Sequence, residues 1–216
     1  MDDAEHDEVA SAKAVTRRDF ALTGGVACAV LLGVGGASRI FVGKDPLLRP
    51  PGGQNDASFL KACIKCDRCR SACPQQAIDV ANIEDGLLNA RTPVMNFRKG
   101  YCTFCGDADT FRCVEACPTS ALLGSFNRKI DAIGIARLNE SECLLYRSGS
   151  KLCSKKCMDA CAYDAIKEEG GRLTVVGSLC NGCGACEWAC PSASYGSFTG
   201  TNARGIVVAA VEGERA

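Results

Sequence analysis

Cys180-Asn181-Gly182-Cys183-Gly184-Ala185-Cys186-Glu187-Trp188-Ala189-Cys190-Pro191 decides the fold. Its run, C-x2-C-x2-C-x3-C-P, recurs at Cys63, Cys66, Cys69 and Cys73, closed by Pro74. Thiolates in this run hold a [4Fe–4S] cluster. Three thiolates two residues apart on a tight loop wrap three irons at the corners of one cubane. The fourth, expected in the opening turn of a helix, faces away toward a second cluster. The proline has no N–H to donate and marks the chain turn. Gly182 and Gly184 suit a backbone that must approach inorganic sulfide closely.

Two looser groups lie between these runs. Cys102, Cys105, Cys113 and Cys117 read C-x2-C-x7-C-x3-C-P, and Cys143, Cys153, Cys157 and Cys161 read C-x9-C-x3-C-x3-C, with Ala162 in place of proline. First members of the four groups are 39, 41 and 37 residues apart, so the body is a fourfold approximate repeat of one metal-binding unit. The periodicity assigns the looser groups, the third above all. Zinc and disulfides are the competing uses of so many cysteines. Zinc sites use separated C-x2-C pairs or Cys with His, and the single His, His6, lies outside the body. Adjacent C-x2-C-x2-C triplets are poorly arranged for pairing within the triplet.

The chain has 216 residues, 17 of them Cys against one Trp and four Tyr, so aromatic core material is scarce. Formal charge balances at 25 basic and 25 acidic side chains, which gives no footprint for nucleic acid. Apolar pairs follow three of the groups, at Ala77-Ile78, Ala121-Leu122 and Ala165-Ile166. A short helix after the last Cys is expected to deliver each pair to the core. Lys167 to Arg172 reads as a turn before a strand at Leu173–Val176, and Ile206–Val211 reads as another short strand. The fold class expected is α+β: two bacterial-ferredoxin-like dicluster units of short helices and strands, stabilised by their clusters.

Residues 1–44 have the layout of an export signal. Thr16-Arg17-Arg18-Asp19-Phe20-Ala21-Leu22 resembles a twin-arginine motif, and no charge occurs from Phe20 to Ser38. That run is nearly long enough to span a bilayer, so cleavage and retention as an anchor both stay open. Cys28 falls within it as a small apolar residue. Residues 45–58, rich in Pro and Gly, read as a linker; 59–198 form the four-cluster domain and 199–216 a C-terminal tail. A twin-arginine route carries folded cargo, which suits a protein whose thiolates must stay reduced while iron is inserted.

This order of features resembles the periplasmic ferredoxin-type proteins of the NapG/MauM family over nearly the whole chain. The resemblance rests on Arg17-Arg18, the four groups, Cys117-Pro118-Thr119-Ser120-Ala121-Leu122 and Cys180-Asn181-Gly182-Cys183-Gly184. It implies four [4Fe–4S] clusters on the sixteen body cysteines and a location on the periplasmic or extracytoplasmic side of the membrane. It implies an electron carrier, with no catalytic residue, passing electrons from a membrane quinol-oxidising protein to an exported redox enzyme such as nitrate reductase. Related four-cluster proteins imply nested ligand sets: Cys63, Cys66 and Cys69 with Cys190, and Cys180, Cys183 and Cys186 with Cys73. The inner sets would be Cys102, Cys105 and Cys113 with Cys161, and Cys143, Cys153 and Cys157 with Cys117. Two other functions compete: an electron-transfer subunit of a molybdenum or tungsten oxidoreductase complex, and a zinc- or disulfide-stabilised binding protein without redox chemistry.

Overall fold

Chain segments between successive thiols are too short to carry regular structure far, and the elements are correspondingly brief. A computed structural model describes Arg17 and residues 46–106, 110–127, 131–147, 153–192 and 203–211. Arg17 apart, the expected signal segment lies outside the described residues, Cys28 included. In chain order the elements are α1 (Asp56–Ala62), α2 (Arg68–Ala72), β1 (Ile78–Val80), a 3₁₀ turn (Ile83–Asp85), β2 (Pro93–Met95), α3 (Arg112–Glu115) and β3 (Ile135–Leu138). Then follow α4 (Leu144–Arg147), α5 (Lys156–Asp159), β4 (Ile166–Glu169), β5 (Arg172–Val175), α6 (Ala185–Trp188) and β6 (Ile206–Ala209). The result is a small mixed fold of short helices and strands.

Among the described residues three two-stranded antiparallel sheets form: β1 with β2, β3 with β6, and β4 with β5. The expected strand after the third group is present as β5, but the expected turn shrinks to Gly170-Gly171, because Lys167 to Glu169 belong to β4, the first arm of a hairpin. Gly170 and Gly171 both take positive φ, +58° and +79°, which is the two-residue turn whose twist matches that of the strands. The expected C-terminal strand is also present. Ile206 is buried, and Val208 stands opposite Ala136, so this part of the tail is built into the core.

Two apolar cores result. Phe59, Ala77, Ile78, Met95, Phe97, Phe104, Phe111, Ala121, Leu122 and Ile133 fill the first together with Cys69 and Cys113. Phe104, Phe111 and Phe126 contact one another there, with ring centroids 5.8–6.1 Å apart. The second is smaller, and among the described residues no aromatic joins it: Ala136, Cys157, Ile166, Leu173, Cys186 and Ile206. The few aromatics are thus concentrated in the N-terminal half, where burying a Phe contributes about 3 kcal/mol or more.

The stretch read as a linker is a packed strap rather than a spacer. Pro50 and Pro51 are fully buried, and Met95 N–H donates to Leu48 O at 2.7 Å. Arg49, buried, lies over the Phe59 ring. Its guanidinium donates to Asp56, Thr92, Asn89 and the Pro93 carbonyl at 2.6–3.2 Å. Pro/Gly content reports local backbone preference and carries no information about this clasp.

The halves join along one seam. Cys102 N–H donates to Cys183 O at 2.8 Å, Ile133 N–H donates to Asn181 O at 2.9 Å, and Tyr101 packs on Trp188 with centroids 5.5 Å apart. Val208 touches both cores. Gly182 and Gly184 take φ of +74° and +81°, and a Cβ would lie 2.5 Å from Gly134 O at the first and 2.5 Å from Phe97 Cδ2 at the second. These glycines are therefore required by left-handed backbone and by the seam.

Among the described residues no helix is long and apolar enough to cross a membrane.

Candidate iron–sulfur centres

Each cysteine group builds the same local device. Its third Cys is the second residue of a one-turn helix: Cys69 in α2, Cys113 in α3, Cys157 in α5 and Cys186 in α6. The fourth Cys follows the helix, at Cys73, Cys117, Cys161 and Cys190. It does not open a helix, as the motif reading expected; among the described residues no helix directly follows Cys73, Cys117 or Cys161, whereas Ser192, two residues past Cys190, is helical. After Cys73 the chain turns through Pro74-Gln75 directly into β1, with Gln76 N–H bonded to Cys73 O. The apolar pairs still reach the core: Ala77, Ile78, Ala121, Leu122, Ala165 and Ile166 are all buried. A helix of one turn spans the four-residue step from third to fourth ligand, and the turn after it suffices to reverse the chain.

Left-handed backbone recurs with the motif. Asp67 (φ +61°), Lys155 (φ +58°) and Gly184 (φ +81°) precede α2, α5 and α6, and Gln76, Ser120 and Asp164 (φ +52°, +53° and +49°) lie three residues past the fourth Cys. Only one of these six is Gly, so composition gave no sign of the pattern. Such conformations turn successive N–H groups toward one concave point, an anion-binding arrangement. Group two departs from it: Phe111 before α3 is extended (φ −89°), and its longer insertion brings the Phe111 ring against Phe104 and Phe126.

Because α2 packs against α3 and α5 against α6, neighbouring motifs exchange their fourth thiols. Four quartets result. Site A gathers Cys63, Cys66, Cys69 and Cys117, and site B gathers Cys73, Cys102, Cys105 and Cys113. Site C gathers Cys161, Cys180, Cys183 and Cys186, and site D gathers Cys143, Cys153, Cys157 and Cys190. The nested sets are corrected: Cys73 and Cys117 stay in the N-terminal half, and Cys161 and Cys190 in the C-terminal half. The physical reason is the pairwise helix packing within each half, α2 on α3 and α5 on α6. Cavities are bounded by the four thiols of site B, with Phe104, Phe111 and Met95, and by those of site C, with Ala136, Ile166 and Val208. The sites follow one another as A, B, C, D. Cys113 feels the charge of Cys69, Cys102 is bonded to Cys183, and Cys186 feels the charge of Cys157.

Electrostatics explain what these pockets require. Burial pushes the Cys69 thiol up to about 11, and Cys113 and Cys157 up to about 12, with neighbouring thiolates adding to the shift. Cys102, Cys183 and Cys186 are also raised, burial again leading. Cys117 differs. Burial alone would raise it, but the N–H groups of Leu122, Thr119 and Ala121 and the Thr119 hydroxyl together hold it below the ordinary thiol value. Thiol groups so crowded and buried ionise only with a cationic partner in their midst, so metal entry releases protons. Backbone N–H groups already point at sulfur: Arg112 at Cys105 (3.4 Å), Ala136 at Cys180 (3.4 Å) and Ala165 at Cys161 (3.3 Å).

The residues present fit a polynuclear cluster. Among the described residues no three Cys, His, Asp or Glu side chains converge on one point as a single ion requires, and the sixteen described cysteines are all free of disulfides. Four thiols standing around a walled cavity suit a cubane, whose irons sit apart at its corners. Lys65, Arg70 and Lys155, basic residues beside groups one and three, are engaged at the surface. Lys65 donates to Leu88 O (3.2 Å), Arg70 stands 3.9 Å from Asp67, and Lys155 pairs with Glu168 (2.5 Å). Sequence reasoning missed Asn181, whose side-chain Nδ2 lies buried without a partner beside site C.

Residues 62–121 match the family model of the 4Fe-4S dicluster domain, and residues 173–194 match that of the 4Fe-4S binding domain. Ferredoxin-type protein NapG of Escherichia coli (strain K12) is 30% identical over 191 residues, 80% of this chain and 78% of that one. The methylamine utilization ferredoxin-type protein MauM of Methylorubrum extorquens is 32% identical over 198 residues, 84% and 87% of the two chains. Ferredoxin-type protein NapF of Escherichia coli (strain K12) is 32% identical over 158 residues, 67% and 80%. Thiol quartets, cluster-domain models and relatives matched over most of their length agree: the chain belongs to the NapG/MauM family of ferredoxin-type iron–sulfur electron carriers.

Proposed function

We propose that this chain relays single electrons through four [4Fe–4S] clusters, held by sites A, B, C and D in two bacterial-ferredoxin-like dicluster units. The ligands are Cys63, Cys66, Cys69 and Cys117; Cys73, Cys102, Cys105 and Cys113; Cys161, Cys180, Cys183 and Cys186; and Cys143, Cys153, Cys157 and Cys190. The carrying observation is the gathering of sixteen thiols from four motifs into four quartets, with sites B and C meeting across the seam. Bound there, each cluster supplies one-electron chemistry that needs no proton. The chain's own contribution is to exclude water with apolar walls, to orient the thiolates and to offer N–H groups to sulfur.

Sites A and D form the two ends of the series, and Cys66 of site A is exposed beside the exposed Ile64. An end of this kind suits a docking redox partner. The partners we propose are a membrane quinol-oxidising protein on one side and an exported reductase, such as nitrate reductase, on the other. The motif at Thr16 to Leu22 supports export by the twin-arginine route, placing the carrier in the periplasm or at the extracytoplasmic membrane face. Full-length chain captured anaerobically from its native membranes tests the partners. A multi-span quinol-oxidising protein in the eluate supports the relay. A stoichiometric molybdopterin subunit in its place refutes that reading in favour of an oxidoreductase subunit.

A further inference from the structure

We propose that Asn181 donates a side-chain hydrogen bond to sulfur of the cluster at site C and so raises the reduction potential of the site next to the seam. The proposal deepens the four-cluster reading and rests on it. Asn181 follows the first thiol of its motif and is 6% exposed. Its carbonyl accepts the Ile133 N–H (2.9 Å), tying it to the chain entering the second half, and its Oδ1 accepts the Cys183 N–H (3.2 Å). That second bond fixes the amide's orientation, because a backbone N–H must face oxygen rather than NH2. Nδ2 is thereby directed elsewhere. It is the one buried side-chain polar atom without a partner among the described residues.

A buried donor left unmade costs free energy, so a native orphan calls for a partner. Asn181 lines the cavity bounded by Cys161, Cys180, Cys183 and Cys186. Backbone donors already serve two of its thiols, with the Ala136 N–H on Cys180 and the Ala165 N–H on Cys161. Thiolate or sulfide sulfur of the bound cluster is the acceptor chemistry that this cavity is lined to hold. Reduction adds one electron and one negative charge without a proton, so a donor to sulfur favours the reduced form. The matching position in group one is Ile64, an exposed apolar residue with no such donor.

The test compares the full-length, anaerobically purified holoprotein with Asn181→Leu and Asn181→Asp by redox titration followed by electron paramagnetic resonance. Iron and acid-labile sulfide are counted on the same samples. The expected result in Asn181→Leu is an unchanged iron count and a fall of about tenfold in the reduced-to-oxidised ratio of one cluster at fixed potential, a shift of about 59 mV for a one-electron couple. Asn181→Asp, which keeps the acceptor for Cys183 and replaces the donor with negative charge, is expected to shift the same cluster at least as far. A weakly coupled, exchangeable proton on that reduced cluster should disappear in both variants. Unmoved potentials in both variants at full iron count overturn the proposal. Loss of one cluster's iron in both variants also overturns it, by making Asn181 an assembly residue. A wild-type protein lacking one cubane's iron fails the four-cluster reading itself, before any variant is compared.

Discussion

Gly182 and Gly170 have similar backbones and opposite surroundings, which isolates the energy of the seam. Both take positive φ, +74° and +58°. Alanine in left-handed backbone costs about 1–2 kcal/mol on conformation alone. At Gly170 nothing lies within 4 Å of the added Cβ, so that is the whole expected cost. At Gly182 the Cβ would lie 2.5 Å from Gly134 O and 2.8 Å from its carbonyl carbon, and backbone cannot rotate away as a side chain can. Overpacking of this kind adds about 1–3 kcal/mol. Gly182→Ala is therefore expected to destabilise the holoprotein by about 1–3 kcal/mol more than Gly170→Ala, roughly 5- to 150-fold in the unfolding equilibrium. The assay is anaerobic guanidinium unfolding followed by loss of cluster absorbance and by far-UV circular dichroism, with iron counted beforehand. Equal midpoints for the two variants would refute the seam argument.

Four other outcomes follow from the same geometry. Cys117→Ser should alter the cluster that Cys66→Ser alters, and Cys73→Ser the one that Cys105→Ser alters; paramagnetic resonance of single and double variants checks this, and a match of Cys117 with Cys105 contradicts the exchange. Because the described residues of the second core include no aromatic, oxidative removal of iron should expose β3, β5 and β6 to hydrogen exchange before β1 and β2; the reverse order contradicts the asymmetry. In the metal-free chain the raised thiol values of Cys69, Cys113 and Cys157 contribute stability that is full below pH 9 and lost as pH rises toward 11–12; circular dichroism against pH checks it, and an alkaline gain in stability contradicts it. Glu187 accepts the Val208 N–H at 2.7 Å, so Glu187→Gln should leave β6 protected while Glu187→Ala speeds its exchange, about tenfold for one lost bond.

Much of the site was legible in the sequence, because ligand spacing is itself the chemistry. C-x2-C-x2-C-x3-C-P singled out Cys63 to Cys73 and Cys180 to Cys190 as candidate ligands, and the repeat extended the candidates to Cys143 and Cys153, which no local motif supports. Pairing was not legible. Which motif supplies the fourth thiol depends on α2 lying against α3 and α5 against α6, a tertiary fact with no residue signature. The left-handed positions were hidden for a related reason. Asp67, Lys155, Gln76, Ser120 and Asp164 adopt them without being glycine, at fixed distances from the third and fourth Cys of their motifs. The Pro/Gly-rich strap misled in the opposite sense: Arg49, bonded to residues up to 44 positions away, turns a linker composition into packed structure. Asn181 looks like an ordinary loop residue until its amide is followed into the site C cavity.

The measurement that tests the account most directly is a Mössbauer spectrum with iron and acid-labile sulfide counts on the full-length protein, purified anaerobically. Four [4Fe–4S] clusters per chain, with no iron in any other environment and no stoichiometric zinc, is the result predicted. Iron for three clusters or fewer in intact, anaerobic protein, or zinc in any quartet, would contradict it.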